Sequence, residues 1–256
     1  MDSIAVLGVP VHAVTVEDFI EMVIRRAKGK TRSVITYVNA HCLNVSVEHE
    51  SYRRVLLEAD LVYADGMAVV WAARMLGERL PERVNAGDFI PAFCRRCAEE
   101  GISVYLLGSK AEESAGAARA FVAAAPGLRI AGHHDGYFSE AETAEVIDEV
   151  NRSGADVLLV GMGVPRQELF VAQNREALQV PVCWCVGALF EYYSGSRARA
   201  PAWMRRCGFE WLFRLVLEPR RMWRRYLVGN VRFVRGVLRE RRQIGRKGGG
   251  DRAAHV

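Results

Sequence analysis

Two stretches of this sequence place reactive residue types where a strand gives way to a helix. In Leu61-Val62-Tyr63-Ala64-Asp65-Gly66 an acid follows a short apolar run and precedes a helical pattern. An aspartate there can face a ligand and take a proton, or it can cap the free N–H groups of the helix, and position alone leaves both open. The second stretch, Gly161-Met162-Gly163-Val164-Pro165-Arg166-Gln167-Glu168, follows the apolar run Asp156–Val160. Its glycines let the backbone approach a ligand, Pro165 suits a first helical turn, and free N–H groups there favour a phosphate or a polar ring. A nucleotide fits such a turn. The third glycine of the dinucleotide fingerprint and the G-K-[S/T] of a P-loop are both missing, so a Rossmann dehydrogenase is not indicated.

His133, His134 and Asp135 invite a metal, but adjacent histidines in a strand point to opposite faces. No Asp-x-Asp offers a divalent ion to a diphosphate. If the chemistry is group transfer from a nucleotide, arginine must neutralise the leaving group, with Arg83, Arg166, Arg199, Arg214, Arg220, Arg221, Arg224 and Arg225 as candidates. Cys42, Cys94, Cys97, Cys183, Cys185 and Cys207 lack paired zinc-knuckle spacing and are expected to be reduced core thiols. Neither a metal nor a cofactor is expected.

Apolar runs at 33–38, 61–63, 103–107, 128–131, 156–160 and 182–186 read as buried strands, and helical patterns at 16–27, 66–76, 88–99, 112–124, 140–151 and 165–176 separate them. This alternation predicts an α/β fold, a mostly parallel Rossmann-like sheet with helices on both faces. Ligands then bind beyond the carboxyl ends of the strands, where Asn39, Asp65 and Gly161–Glu168 fall.

Charge divides the chain. Residues 196–256 hold 17 Lys and Arg against 4 Asp and Glu, whereas residues 1–195 hold 18 against 26. An acidic body with a basic tail points to a polyanionic partner. Pro219 separates the apolar run Trp211–Leu217 from a helix in which Trp223, Leu227, Val231, Val234 and Leu238 share one face and Arg221, Arg225, Arg232 and Arg239 another. Such a helix serves a membrane surface or a protein core equally well, and its arginines favour anionic lipid. Residues 1–195 are expected to form the catalytic domain, 196–244 a basic helical appendage, and 245–256 a disordered tail. The opening residues do not resemble a secretory signal, and the longest uncharged apolar stretch, 177–190, is too short to span a bilayer, so a cytoplasmic protein, peripheral on the inner face of the membrane, is expected.

Several segments together resemble the WecG/TagA/CpsF family of glycosyltransferases, in order, from about Val9 to Leu238. They are Val38–His41, Ala59–Gly66, Pro81–Val84, Leu106–Gly108, Asp135–Phe138, Gly161–Glu168, Arg199–Trp203, Glu210–Leu215 and Glu218–Arg221. The resemblance implies inverting, metal-independent transfer from a UDP-sugar, often UDP-N-acetylmannosamine, to an undecaprenyl-diphosphate-linked saccharide in cell-wall or exopolysaccharide assembly. It implies a catalytic acid at Asp65 and substrate contacts at Asn39, Arg83, Gly108, Tyr137, Gly163, Gln167 and Glu191. It also implies diphosphate contacts at Arg214, Arg221 and Arg224, in an appendage that meets the membrane and helps close the site. Tyr37 stands where the family commonly has Thr, Glu191 where Asp is frequent, and Asn85-Ala86-Gly87-Asp88 departs from the usual pattern. These positions bear on the donor sugar rather than on the fold. A rival reading, a non-enzymatic nucleotide or nucleic-acid binder gripping phosphates with its tail, lacks a recognised DNA or RNA motif, so nucleic acid is not expected as a partner. A homo-oligomer is left open.

Overall fold

The computed structural model describes residues 1–250. A short antiparallel hairpin, β1 (Ser3–Val6) and β2 (Val9–His12), leads into α1 (Val16–Lys28). Thr15 and Asp18 close a capping box on α1, and Arg25, Arg26 and Lys28 complement the opposite end of its dipole. There follow β3 (Ser33–Val38), α2 (Ala40–Glu48), α3 (Glu50–Glu58), β4 (Leu61–Ala64), α4 (Met67–Met75), α5 (Ala86–Glu99), β5 (Ser103–Gly108) and α6 (Ala111–Ala124). Next come β6 (Arg129–His134), α7 (Thr143–Arg152), β7 (Val157–Gly161), α8 (Arg166–Gln173), β8 (Val182–Cys185) and α9 (Leu189–Tyr193). Strands β3 to β8 form one sheet in the order β4-β3-β8-β7-β5-β6, and every neighbouring pair is parallel.

Every residue of β4, β5, β7 and β8 is buried, because helices cover both faces of the sheet. On one face Trp184 packs among Phe19, Phe89 and Phe93 with ring centroids 4.8, 5.8 and 5.2 Å away. All six expected strands are present. The β1–β2 hairpin and the pair α2–α3 were not anticipated, since the strands are four residues each and α2 mixes Asn44, Val45 and Val47 with a weak apolar period. Five cysteines are buried, but Cys207 is exposed, which corrects the expectation that all six are core thiols.

Beyond α9 the chain forms α10 (Ala202–Arg206), α11 (Glu210–Leu217), α12 (Pro219–Trp223), a π-helical turn at Arg224–Val228, and α13 (Gly229–Gly250). Pro219 opens α12, where its missing N–H costs nothing. Helix α13 lies back across the body through Phe233 and Val237, both buried with residues of the hairpin, α2 and α4. Asn44 Nδ2 donates to Gly229 O at 2.7 Å, Leu7 N donates to Glu240 Oε2 at 2.8 Å, and Arg232 pairs with Glu48. The stripe Trp223, Leu227, Val231, Val234 and Leu238 therefore does not pack on the core: each residue stays 38–53 % exposed. The tail thus carries two apolar stripes, one docked and one open. The described helix continues past Gly245 to Gly250, and residues 251–256 of the expected disordered tail lie outside the described residues. Among the described residues no helix is long and apolar enough to cross a membrane.

Candidate active site

A cavity of about 740 Å³ runs along the carboxyl edge of the sheet, roofed by the C-terminal helices. That volume suits a nucleotide-sized ligand. Its floor is formed by the turns after β3, β4, β7 and β8, and its roof includes Arg197, Arg199, Glu210, Arg214, Arg221 and Arg225.

Asp65 sits on the floor at the end of β4. It does not cap α4: the N-cap is Gly66, and no side-chain cap bond forms. Its Oδ1 instead accepts a hydrogen bond from Asn85 Nδ2 at 2.5 Å, so the carboxylate is aimed and available. Burial pushes its pKa up to about 7, Glu210 adds to the rise, and Arg83, Arg214 and the Asn85 bond act against it. A carboxyl poised there can exchange protons near neutral pH.

The wall beside Asp65 is a network of ion pairs between the body and the appendage. Arg83 pairs with Asp88 and reaches Glu210 Oε2 at 3.6 Å. Arg199 bonds Asn85 Oδ1 at 2.9 Å and Asp88 Oδ1 at 2.8 Å, and Arg205 also pairs with Asp88. Glu210 Oε1 accepts from Arg214 Nη2 at 2.6 Å, and Arg214 lies 5.3 Å from the Tyr192 ring centroid. Burial works to raise the Glu210 pKa, but Arg214, Arg199 and Arg83 together hold it below the usual carboxylate range. Glu210 is thus an anion at neutral pH while Asp65, close by, is poised to titrate.

Of the residues expected from the sequence, Asn39, Asp65, Arg83, Tyr137, Gly163, Glu191, Arg214 and Arg221 all line this cavity. Asn39 uses its Oδ1 to cap α2 through His41 N and Cys42 N. Glu191 is held by Arg197 at 2.7 Å. Three others do not line it. Gly108 serves the close approach of β5 and β7, where a side chain would collide with the Gly161 backbone. Gln167 is fully buried beneath the floor. Arg224 is exposed with its guanidinium 5.2 Å from the Trp223 ring, and its neighbour Arg225 faces the cavity instead, with a buried Nε that has no hydrogen-bond partner among the described residues.

Two cavity residues, Ser109 and His41, were not among the expected site residues. Ser109 follows β5 with φ of 55°, is buried, and keeps a hydroxyl without a protein partner among the described residues. Spacing does not reveal a left-handed backbone of this kind. His41 is pushed down to about 4, by burial first and Arg225 second, so it presents a neutral imidazole. Among the described residues no three His, Cys, Asp or Glu side chains converge as a metal set.

Residues 4–247 match the Glycosyl transferase WecG/TagA/CpsF family. The chain belongs to this family. Among its similar relatives are two proteins named N-acetylglucosaminyldiphosphoundecaprenol N-acetyl-beta-D-mannosaminyltransferase. The one from Bacillus subtilis (strain 168) is 30 % identical over 198 residues, covering 77 % of this chain and 76 % of its own. The one from Bacillus spizizenii (strain ATCC 23059 / NRRL B-14472 / W23) is 30 % identical over 197 residues, covering 77 % and 75 %. The family match spans both the sheet and the C-terminal helices that roof the cavity, so the appendage belongs to this glycosyl transferase architecture and is not an unrelated addition.

Proposed function

We propose that this protein transfers a sugar, N-acetylmannosamine or a related hexose, from a UDP donor to a saccharide carried on a polyprenyl diphosphate. The acceptor hydroxyl oxygen attacks the anomeric carbon, Asp65 takes its proton, and the bond to the UDP oxygen breaks with its electron pair leaving on the diphosphate. Such a displacement inverts the anomeric centre. Arg214, Arg221 and Arg225 meet the developing charge, and no metal is required. The observation that carries this reading is the pairing of a poised acid, Asp65, with an arginine-lined roof across one cavity of nucleotide size. The relatives' names supply the lipid-linked acceptor, and the exposed stripe of α13 supplies a means of reaching it at an anionic membrane surface.

The test is a panel of UDP-sugars, first for protection against thermal unfolding and then for transfer to a short-chain lipid-linked acceptor. A ligand at a hundred times its dissociation constant adds about 2.7 kcal/mol, which is easily read. One UDP-sugar should stabilise the protein and be transferred with inversion, in the presence of chelator. A protein that no UDP-sugar stabilises, and that transfers none, would not fit this proposal.

A further inference from the structure

Beneath the cavity floor lies a buried acid that the transfer chemistry above does not use. Glu168, in the first turn of α8, is fully buried, as is its neighbour Gln167. One carboxyl oxygen, Oε1, accepts two hydrogen bonds, from Thr36 Oγ1 at 3.0 Å and from Gln167 Nε2 at 2.7 Å. The other, Oε2, has no partner among the described residues, and no cation pairs with the group there. A carboxyl so placed is a poor choice for stability, since burying it unpaired costs free energy that an apolar side chain would not. Its use must lie in what it holds.

What it holds is an orientation. Only the NH₂ of Gln167 can donate to Glu168, so the Gln167 carbonyl must point the opposite way. There Oε1 accepts from Gly187 N at 3.0 Å. Gly187 is the turn after β8, with φ of 60°, and a side chain on it would collide with the Tyr37 hydroxyl. Thr36 belongs to β3, Gln167 follows β7, and Gly187 follows β8; these are the three adjacent central strands, and the turns beyond them line the cavity. One carboxyl oxygen thereby joins β3 to the start of α8 and, through the Gln167 amide, to the turn after β8.

We propose that Glu168 is a positioning residue for the donor site: by fixing the Gln167 amide it holds the Gly187 peptide, and with it the floor on which the nucleotide rests. The proposal rests on the reading of this cavity as a UDP-sugar site. The role is that of an acceptor, not of a charge, so Glu168→Gln keeps it and Glu168→Met removes it.

The test uses the full chain, with UDP as the binding probe and hydrogen exchange at residues 186–188 as a ligand-free probe of the floor. In Glu168→Met the Gly187 amide should exchange at least about tenfold faster, while slow core amides keep their rates. UDP Kd and donor KM should both rise about tenfold, and kcat should change less than about threefold. Glu168→Gln should restore exchange, Kd and KM to within about twofold. Gln167→Met should reproduce the Glu168→Met losses, and the double variant should be no worse than either single one, because both cut one chain of contacts. Should Glu168→Met not fold, Gln167→Met against Glu168→Gln carries the comparison. A folded variant with wild-type Gly187 exchange and UDP affinity would overturn the proposal, as would Glu168→Gln behaving like Glu168→Met. If the wild-type protein binds no UDP, the donor reading fails by itself, and the exchange measurements still decide whether Glu168 holds the floor.

Discussion

Asp65 and Asn85 are joined by a hydrogen bond of 2.5 Å, and the same asparagine accepts from Arg199 of the appendage at 2.9 Å. Because the guanidinium can only donate, it fixes the Asn85 carbonyl outward and turns the NH₂ toward Asp65. The appendage therefore orients the Asp65 carboxyl through one amide. Asp65→Asn should lower kcat by about 10²- to 10⁴-fold, the range for a general base, while UDP Kd changes less than about twofold. Titration calorimetry with UDP beside steady-state transfer separates the two quantities. Full turnover in the variant would remove Asp65 from the chemistry.

The second prediction concerns pH. With Asp65 raised to about 7 by burial and then by Glu210, a base at this position is protonated and idle below that value. The kcat/KM profile should fall about tenfold per unit on its acid side and flatten above pH 7. Replacing Glu210 with Gln removes the neighbouring negative charge and frees Arg83 and Arg214 to favour the Asp65 carboxylate. The acid limb should then move to lower pH. A limb that stays fixed, or moves upward, would show that Glu210 does not set the titration of the base.

Much of this was legible before any coordinates. Strands β4, β5, β7 and β8 are apolar nearly throughout, because a parallel sheet buried on both faces leaves no polar side to confuse the pattern. The rule that ligands lie beyond the carboxyl ends points to Asn39, Asp65 and Gly163, and all three line the cavity. Helical phase near Arg224 was not legible. The turn at Arg224–Val228 is π-helical, and the wider turn puts Arg225 in the cavity and Arg224 over Trp223. Nor could spacing show that Gln167 lies below the floor, since Gly187, whose N–H it accepts, and Thr36, which shares the Glu168 carboxyl oxygen with it, meet it only through strand order.

Stability should also depend on pH through the buried acids. Glu168 is raised to about 7 by burial, which outweighs its hydrogen bonds from Gln167 and Thr36. A carboxyl with a raised folded pKa contributes stability that is fully present below its unfolded value, near 4.5, and is lost as pH climbs toward 7. Glu168→Gln does not titrate, so its melting temperature relative to wild type should rise from pH 4.5 to about pH 7 and level off above it. Thermal melts of both proteins at half-unit intervals check this. A constant difference across that range would mean that the Glu168 carboxyl does not change its protonation there.

The last prediction separates the two stripes of the tail. Val231 lies on the open stripe, 50 % exposed, whereas Phe233, two residues on, is 4 % exposed within the core. Val231→Asp should release the protein from vesicles containing anionic lipid and leave its melting temperature nearly unchanged, because no core contact is lost. Phe233→Ala should cost about 3–5 kcal/mol of stability, the usual loss for a buried aromatic. Arginines should divide in the same way. Arg239 is exposed on α13, and its replacement with Ala should weaken vesicle binding about fivefold, since each cation near an anionic surface is worth about 1 kcal/mol. Arg214 and Arg225 line the cavity, so Ala at either should lower transfer even to a short, water-soluble acceptor that needs no membrane. Sedimentation with vesicles and a soluble transfer assay, run on Val231→Asp, Arg239→Ala, Arg214→Ala and Arg225→Ala, give independent readouts. If Arg214→Ala and Arg225→Ala left the soluble reaction intact, the roof would be a membrane anchor alone, and the leaving-group charge would have to be met from the body, by Arg83 or Arg166.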